Sequence, residues 1–88
     1  MENMNYGKPI GPRVTSVSPM EEFKLLLTFN NSERRIFDAK PLFSYGVFKP
    51  LQNKAFFESV KAAHGSILWP NDIDYCPDTL YMESTPVN

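Results

Sequence analysis

Eighty-eight residues, 42% hydrophobic and 14% aromatic, support one domain with one modest core and leave no room for two. That composition excludes a globally disordered chain, and a longest apolar run of Leu25 to Leu27 excludes a membrane-spanning helix. The net charge of −1 hides an asymmetry: residues 1–61 carry all nine Lys and Arg, whereas residues 62–88 carry four acids and no cation.

Residues 1–12, with Gly7, Pro9, Gly11 and Pro12, read as a flexible lead-in with no signal-peptide apolar stretch, which predicts a cytoplasmic address. Arg13 to Ser18 alternates with β-branched residues and is expected to be a strand ended by Pro19. Phe23 to Phe29 sets Phe23, Leu25, Leu27 and Phe29 on one face at period two. "NNSE" (Asn30 to Glu33) predicts a turn, after which Arg34 to Ala39 returns antiparallel and completes a three-strand meander. An aromatic-rich connection, Leu42 to Leu51, leads to Asn53, a residue fit to cap a helix over Lys54 to Ala63. Phe56, Val60 and Ala63 would form its buried stripe, and Gly65 its stop. Ser66 to Trp69 predicts a fourth strand and Ile73 to Tyr75 a short fifth. Pro77 suits the first position of a final helix running to Glu83. The expected class is α+β: a small antiparallel sheet with one main helix and a short C-terminal helix. One domain is expected over residues 13–84, followed by a tail at 85–88.

Candidate chemistry concentrates in "SILWPNDIDYCPDTLYMES", residues 66–84. Asp72, Asp74, Cys76, Asp78 and Glu83 fall on the ligand positions of a calcium-binding EF-hand loop. Pro77, however, stands where that loop needs glycine for its sharp turn, so the motif is rejected. A looser magnesium or calcium site built from the same acids stays as an alternative. One Cys and one His are too few for zinc. Cys76 at a helix N-terminus would have a stabilised thiolate, but His64, the only imidazole, belongs to another element. The competing reading makes Cys76 a small residue packed beside Trp69. Asp78 is expected to accept backbone N–H bonds in the first turn of the last helix. Asp74 is expected to brace its turn or to pair with Arg34 or Arg35, so that the two halves neutralise each other internally. Arg34 and Arg35 beside Phe37 make a weak patch whose members point to opposite faces, and direct nucleic-acid binding is not expected.

Two long stretches, "RVTSVSPMEEFKLLLTFNNSERRIFDAKPLF" and "GVFKPLQNKAFFESVKAAHGSILWPNDIDYCPDTLY", resemble a small bacterial domain-of-unknown-function family. Its pattern joins an "F.NGE.R.FD" meander, a "GVF.PL" connection and a "G.I.WPNG.D..PD.LY" close. This chain departs at Ser32 and Asp72, where the family usually has glycine, and the first departure implies a somewhat different hairpin turn. The resemblance implies a compact α+β domain, sometimes fused to a helix-turn-helix and often encoded beside another small protein, as toxin–antitoxin pairs are. It brings no catalytic residues. Trp69, Pro70, Asp74, Pro77, Asp78, Leu80 and Tyr81 transfer only as motif positions, and they form the candidate partner surface. The expectation is therefore a non-enzymatic interaction or regulatory module with a protein partner and no cofactor. The alternative is a small metal- or Cys-dependent hydrolase using residues 72–78.

Overall fold

The computed structural model describes residues 12–87, so the lead-in expected over 1–12 lies, except for Pro12, outside the described residues. The class is α+β, as the patterning predicted, but the strands divide between two small sheets. The first has the order β1-β2-β3-β7, from Val14–Met20, Lys24–Phe29, Arg34–Asp38 and Thr85–Pro86; the second is β4-β5-β6, from Lys61–Ala63, Ser66–Trp69 and Ile73–Asp74. All pairings are antiparallel. Two short α-helices, α1 (Lys54–Glu58) and α2 (Pro77–Glu83), complete the fold with several 3-10 turns.

The period-two pattern of β2 does what it promised: Leu25, Leu27 and Phe29 are buried, and the residues between them are half-exposed. They meet Phe37, Leu51, Phe57, Ile67, Trp69 and Leu80 in one core drawn from both sheets and both helices. Each fully buried side chain of this size contributes about 1.5–3 kcal/mol of transfer free energy. The two sheets meet where β1 lies against β4 and β5, and the Val14 N–H donates to the Gly65 carbonyl at 2.9 Å. The Arg13 guanidinium adds a bond to the His64 carbonyl. The strands thus run from β6 round to β7, each a two-residue edge, and α2 lies between these edges in sequence and packs on β3 and β5. Short edges of this kind leave little backbone open to a foreign strand.

Several expectations need correction. Pro19 does not end β1, which continues to Met20 with Pro19 opposite Leu25. In its own sheet β1 is an edge strand, where a missing N–H costs no ladder bond. Phe23 lies outside β2, in the β1–β2 turn. There Glu22 (φ 63°) and Phe23 (φ 58°) take left-handed backbone, and Phe23 packs edge-on against Phe43 and Phe57.

The helix expected to reach Ala63 ends at Glu58. Asn53 does cap it, its Oδ1 accepting from the Phe56 N–H at 3.0 Å. The Ser59 hydroxyl then takes the Phe56 carbonyl, and residues 61–63 pair with 66–68 instead. Val60 and Ala63 therefore are not part of a helical stripe. His64 (φ 55°) and Gly65 (φ 79°) make the tight turn of this hairpin, both with positive φ as primed hairpin turns require. A Cβ at Gly65 would collide with the Arg13 guanidinium, so that position needs glycine twice over. At the far end, Thr85–Pro86 falls where a tail was expected and forms β7 against Arg35 and Ile36.

Candidate functional site

Residues 66–84 are shaped first by what they close. Trp69 is 1% exposed, and its indole N–H donates to the Phe57 carbonyl at 2.9 Å, so the ring fills the core while its polar edge is satisfied. Leu80 is 0% exposed on the inner face of α2. Pro77, at the first position of α2, and Tyr81 are half-buried. Only Pro70, Asp74 and Asp78 of the seven motif positions are exposed. The candidate surface is thus two core anchors, two supports and three exposed residues.

Tyr81 belongs to a polar cluster that joins α2 to the β2–β3 hairpin. Its hydroxyl donates to Glu33, its ring packs edge-on against Phe29, and the Arg35 guanidinium lies 4.3 Å above it. Arg35 also donates to Glu33 (2.8 Å), to the Ser84 hydroxyl (2.8 Å) and to the Ser84 carbonyl (2.6 Å). The last bond sets a cation on a carbonyl at the C-terminal end of α2, where the helix is electronegative. The Tyr81 hydroxyl, foremost, and Arg35 hold the Glu33 carboxyl below its ordinary range.

This cluster overturns the expected pairing. Among the described residues, ion pairs join Arg35 to Glu33, Lys40 to Asp38 and Lys54 to Glu58. None reaches Asp72, Asp74, Asp78 or Glu83. Asp74 pairs with neither Arg34 nor Arg35, and Asp78 accepts no hydrogen bond within the first turn of α2. Ser66 braces the segment instead, donating its hydroxyl to the Tyr75 carbonyl.

Tyr75, like Trp69 and Tyr81, serves core and closure. Its ring touches Phe37 and Phe48 (centroids 5.5 and 5.8 Å), and its hydroxyl donates to Glu83 at 2.8 Å. Burial first, then the Glu83 carboxylate, pushes its phenol up to about 12. Through Phe48 it is tied to the connection between β3 and α1, which holds by Leu42 and Leu51 while exposing Tyr45 (60%) and Val47 (62%). An aromatic run with no period gives no sign of which members face water.

Cys76 is exposed at the start of α2. The Thr79 backbone N–H, then its hydroxyl, and the Asp78 N–H hold the thiol below its ordinary value. It lines an open depression of about 320 Å³ with His64, Asp74, Tyr75 and Pro77, so hairpin β4–β5 brings the only imidazole to the side of the only thiol. No hydrogen bond joins the two among the described residues. Nor do any three His, Cys, Asp or Glu side chains of the described residues converge as metal ligands would.

Comparison with known proteins settles the lineage, because one family matches residues 14–86, nearly every described residue. The chain belongs to the family described as "Protein of unknown function (DUF2442)". No curated protein and no solved structure matches the chain. Family membership leaves the activity to be argued from the surface. Among the described residues, no helix is long and apolar enough to cross a membrane.

Proposed function

We propose that this protein is a non-enzymatic interaction or regulatory module of the cytoplasm, an antitoxin-like or accessory subunit of a small bacterial protein pair. One observation supports this reading above others. Side chains able to do chemistry in residues 66–84 are either spent on closure, as Trp69, Ser66, Tyr75 and Tyr81 are, or, as with Asp74, Cys76 and Asp78, exposed with no side-chain hydrogen bond joining them among the described residues. Meanwhile large apolar side chains, Tyr45 and Val47, are left in water on an anchored turn. Isolated carboxylates and an anchored apolar turn suit recognition better than catalysis.

The test is purification of the tagged native chain from its source. A companion protein at a fixed ratio that survives moderate salt is the expected result. A lone monomer under every growth condition, together with turnover of some substrate, counts decisively against the reading.

One observation favours the hydrolase alternative: His64, Asp74 and the lowered thiol of Cys76 line one depression. Under that reading iodoacetamide alkylates Cys76 well below the pH at which free thiols react, and His64→Ala slows the reaction. Alkylation that follows ordinary thiol titration and ignores His64 removes it.

A further inference from the structure

The surface that would carry such an interaction is specified by three features that adjoin. The turn holding Tyr45 and Val47 is fixed at both ends by buried Leu42 and Leu51, so its two outward side chains are displayed on a firm base. Phe48 in the same turn packs on Tyr75, and Tyr75 is bonded to Glu83. Aromatic surface therefore continues from the turn onto the start of α2. Beside Tyr75 are Asp74, its neighbour in the chain, and Glu83, its hydroxyl's partner, and Asp78 follows in the first turn of α2. None of the three is in an ion pair among the described residues, whereas Glu33, Asp38 and Glu58 each have a cation. Lys49 is the cation carried by the turn itself.

We propose that Tyr45, Val47, Phe48 and Tyr75, with Asp74, Asp78 and Glu83 beside them, dock a partner protein that presents an apolar side chain between Lys or Arg residues. This rests on the interaction-module reading and adds the partner's chemistry. The charge argument selects the occupant. An apolar centre beside acids that have no ion pair among the described residues favours a cationic partner and repels nucleic acid. A second copy docking by the same face is a poorer match, because its own Asp74, Asp78 and Glu83 would then meet these acids. Beside this surface the edge strand is β6, only two residues long, so side chains rather than backbone would carry recognition there.

The isotope-labelled full chain, titrated with a short peptide alternating Lys and Leu around one Trp, tests this by amide chemical shifts. Saturable shifts at residues 45–48 and 74–83, weakening severalfold from low to physiological salt, are expected. The same peptide with Glu for Lys should leave them still. The double variant Tyr45→Ser, Val47→Ser should lose the shifts while keeping a folded spectrum. Equal response to both peptides, shifts centred elsewhere, or the same shifts with single-stranded DNA overturn the proposal. So do shifts of these amides that grow with protein concentration alone, since a second copy would then be the occupant. A native companion still held by the double variant rejects this surface and leaves the module reading intact. Absence of any companion removes both.

Discussion

The Trp69 indole N–H donates to the Phe57 carbonyl at 2.9 Å, fastening β5 to the end of α1 by one bond inside the core. That bond and the packing around it make Trp69 the side chain the fold can least spare. Trp69→Ala should cost about 3–5 kcal/mol from the cavity alone. The Phe57 carbonyl would keep the Val60 N–H as a partner, so loss of the indole bond adds only about 0.5–1.5 kcal/mol. A small domain holds only about 5–15 kcal/mol in total, so the variant should be largely unfolded in mild denaturant. An urea titration monitored by far-UV dichroism checks it, and a midpoint close to the parent's would place Trp69 outside the core.

Ser32 and Asp72, the two departures from the family's glycine pattern, both have left-handed backbone, at φ 71° and 60°. The β2–β3 turn therefore has the conformation glycine favours, not the different turn that the substitution implied. Left-handed backbone costs a residue with a Cβ about 1–2 kcal/mol, against about 0.5–1 kcal/mol of extra entropy lost by glycine. Ser32→Gly should accordingly raise stability by about 0.5–1 kcal/mol, and Asp72→Gly by less, since Asp tolerates this region better. Thermal melts of the two variants read the order directly.

Tyr81→Phe removes the hydroxyl bond to Glu33 while leaving the ring under Arg35 and against Phe29. The expected loss is about 0.5–1.5 kcal/mol. Glu33 should also move back toward its ordinary value, because that hydroxyl is the foremost cause of its lowering, with Asn31 and Arg35 left to hold part of it. A lowered carboxylate contributes stability that is complete above its unfolded value and disappears as pH falls through the folded one. Denaturation midpoints across the acid range should therefore fall at a higher pH in Tyr81→Phe than in the parent.

At alkaline pH the sign reverses. The Tyr75 phenol is raised to about 12, and that of Tyr81 is raised as well, chiefly by its bond to Glu33. Unfolded tyrosine titrates near about 10. The folded value lies above the unfolded one, so this stabilisation is complete below pH about 10 and is lost as pH climbs toward the folded value. Tyr75→Phe should flatten that alkaline decline, while an unchanged decline would mean that folding does not raise the Tyr75 phenol through its burial and its bond to Glu83.

Asp78 was expected to brace α2 through backbone bonds, yet it accepts none and is exposed. Only its charge at the start of a short helix remains, a contribution of about 0.3–1 kcal/mol. Asp78→Asn and Asp78→Ala should thus cost the same within error, where a true cap would separate them by about 1 kcal/mol. Guanidinium titrations of the pair decide it.

The meander, the Asn53 cap, the Ser66–Trp69 strand and the closing helix were legible because each has a local cause: period two, a capping oxygen, a proline at a first helical turn. Lys61–Ala63 was not, because Lys and Ala favour helix and only pairing with β5 overrides them. The His64-Gly65 dipeptide was a hairpin signal, read instead as a helix stop. For the candidate site, the sequence shows which residues carry charge or rings but not their distances. The pairing of Arg35 with Glu33 and Ser84, and the outward turn at Tyr45 and Val47, depend on contacts between segments far apart in the chain.

The central claim, that this is an interaction module working through its exposed aromatic turn, is tested most directly by one paired purification. The native chain and its Tyr45→Ser, Val47→Ser variant are tagged, isolated from their source and weighed by native mass spectrometry. The account predicts a defined complex with one basic companion for the native chain, and the bare monomer for a variant whose melting temperature is unchanged. A native chain that flies alone from every preparation would contradict it.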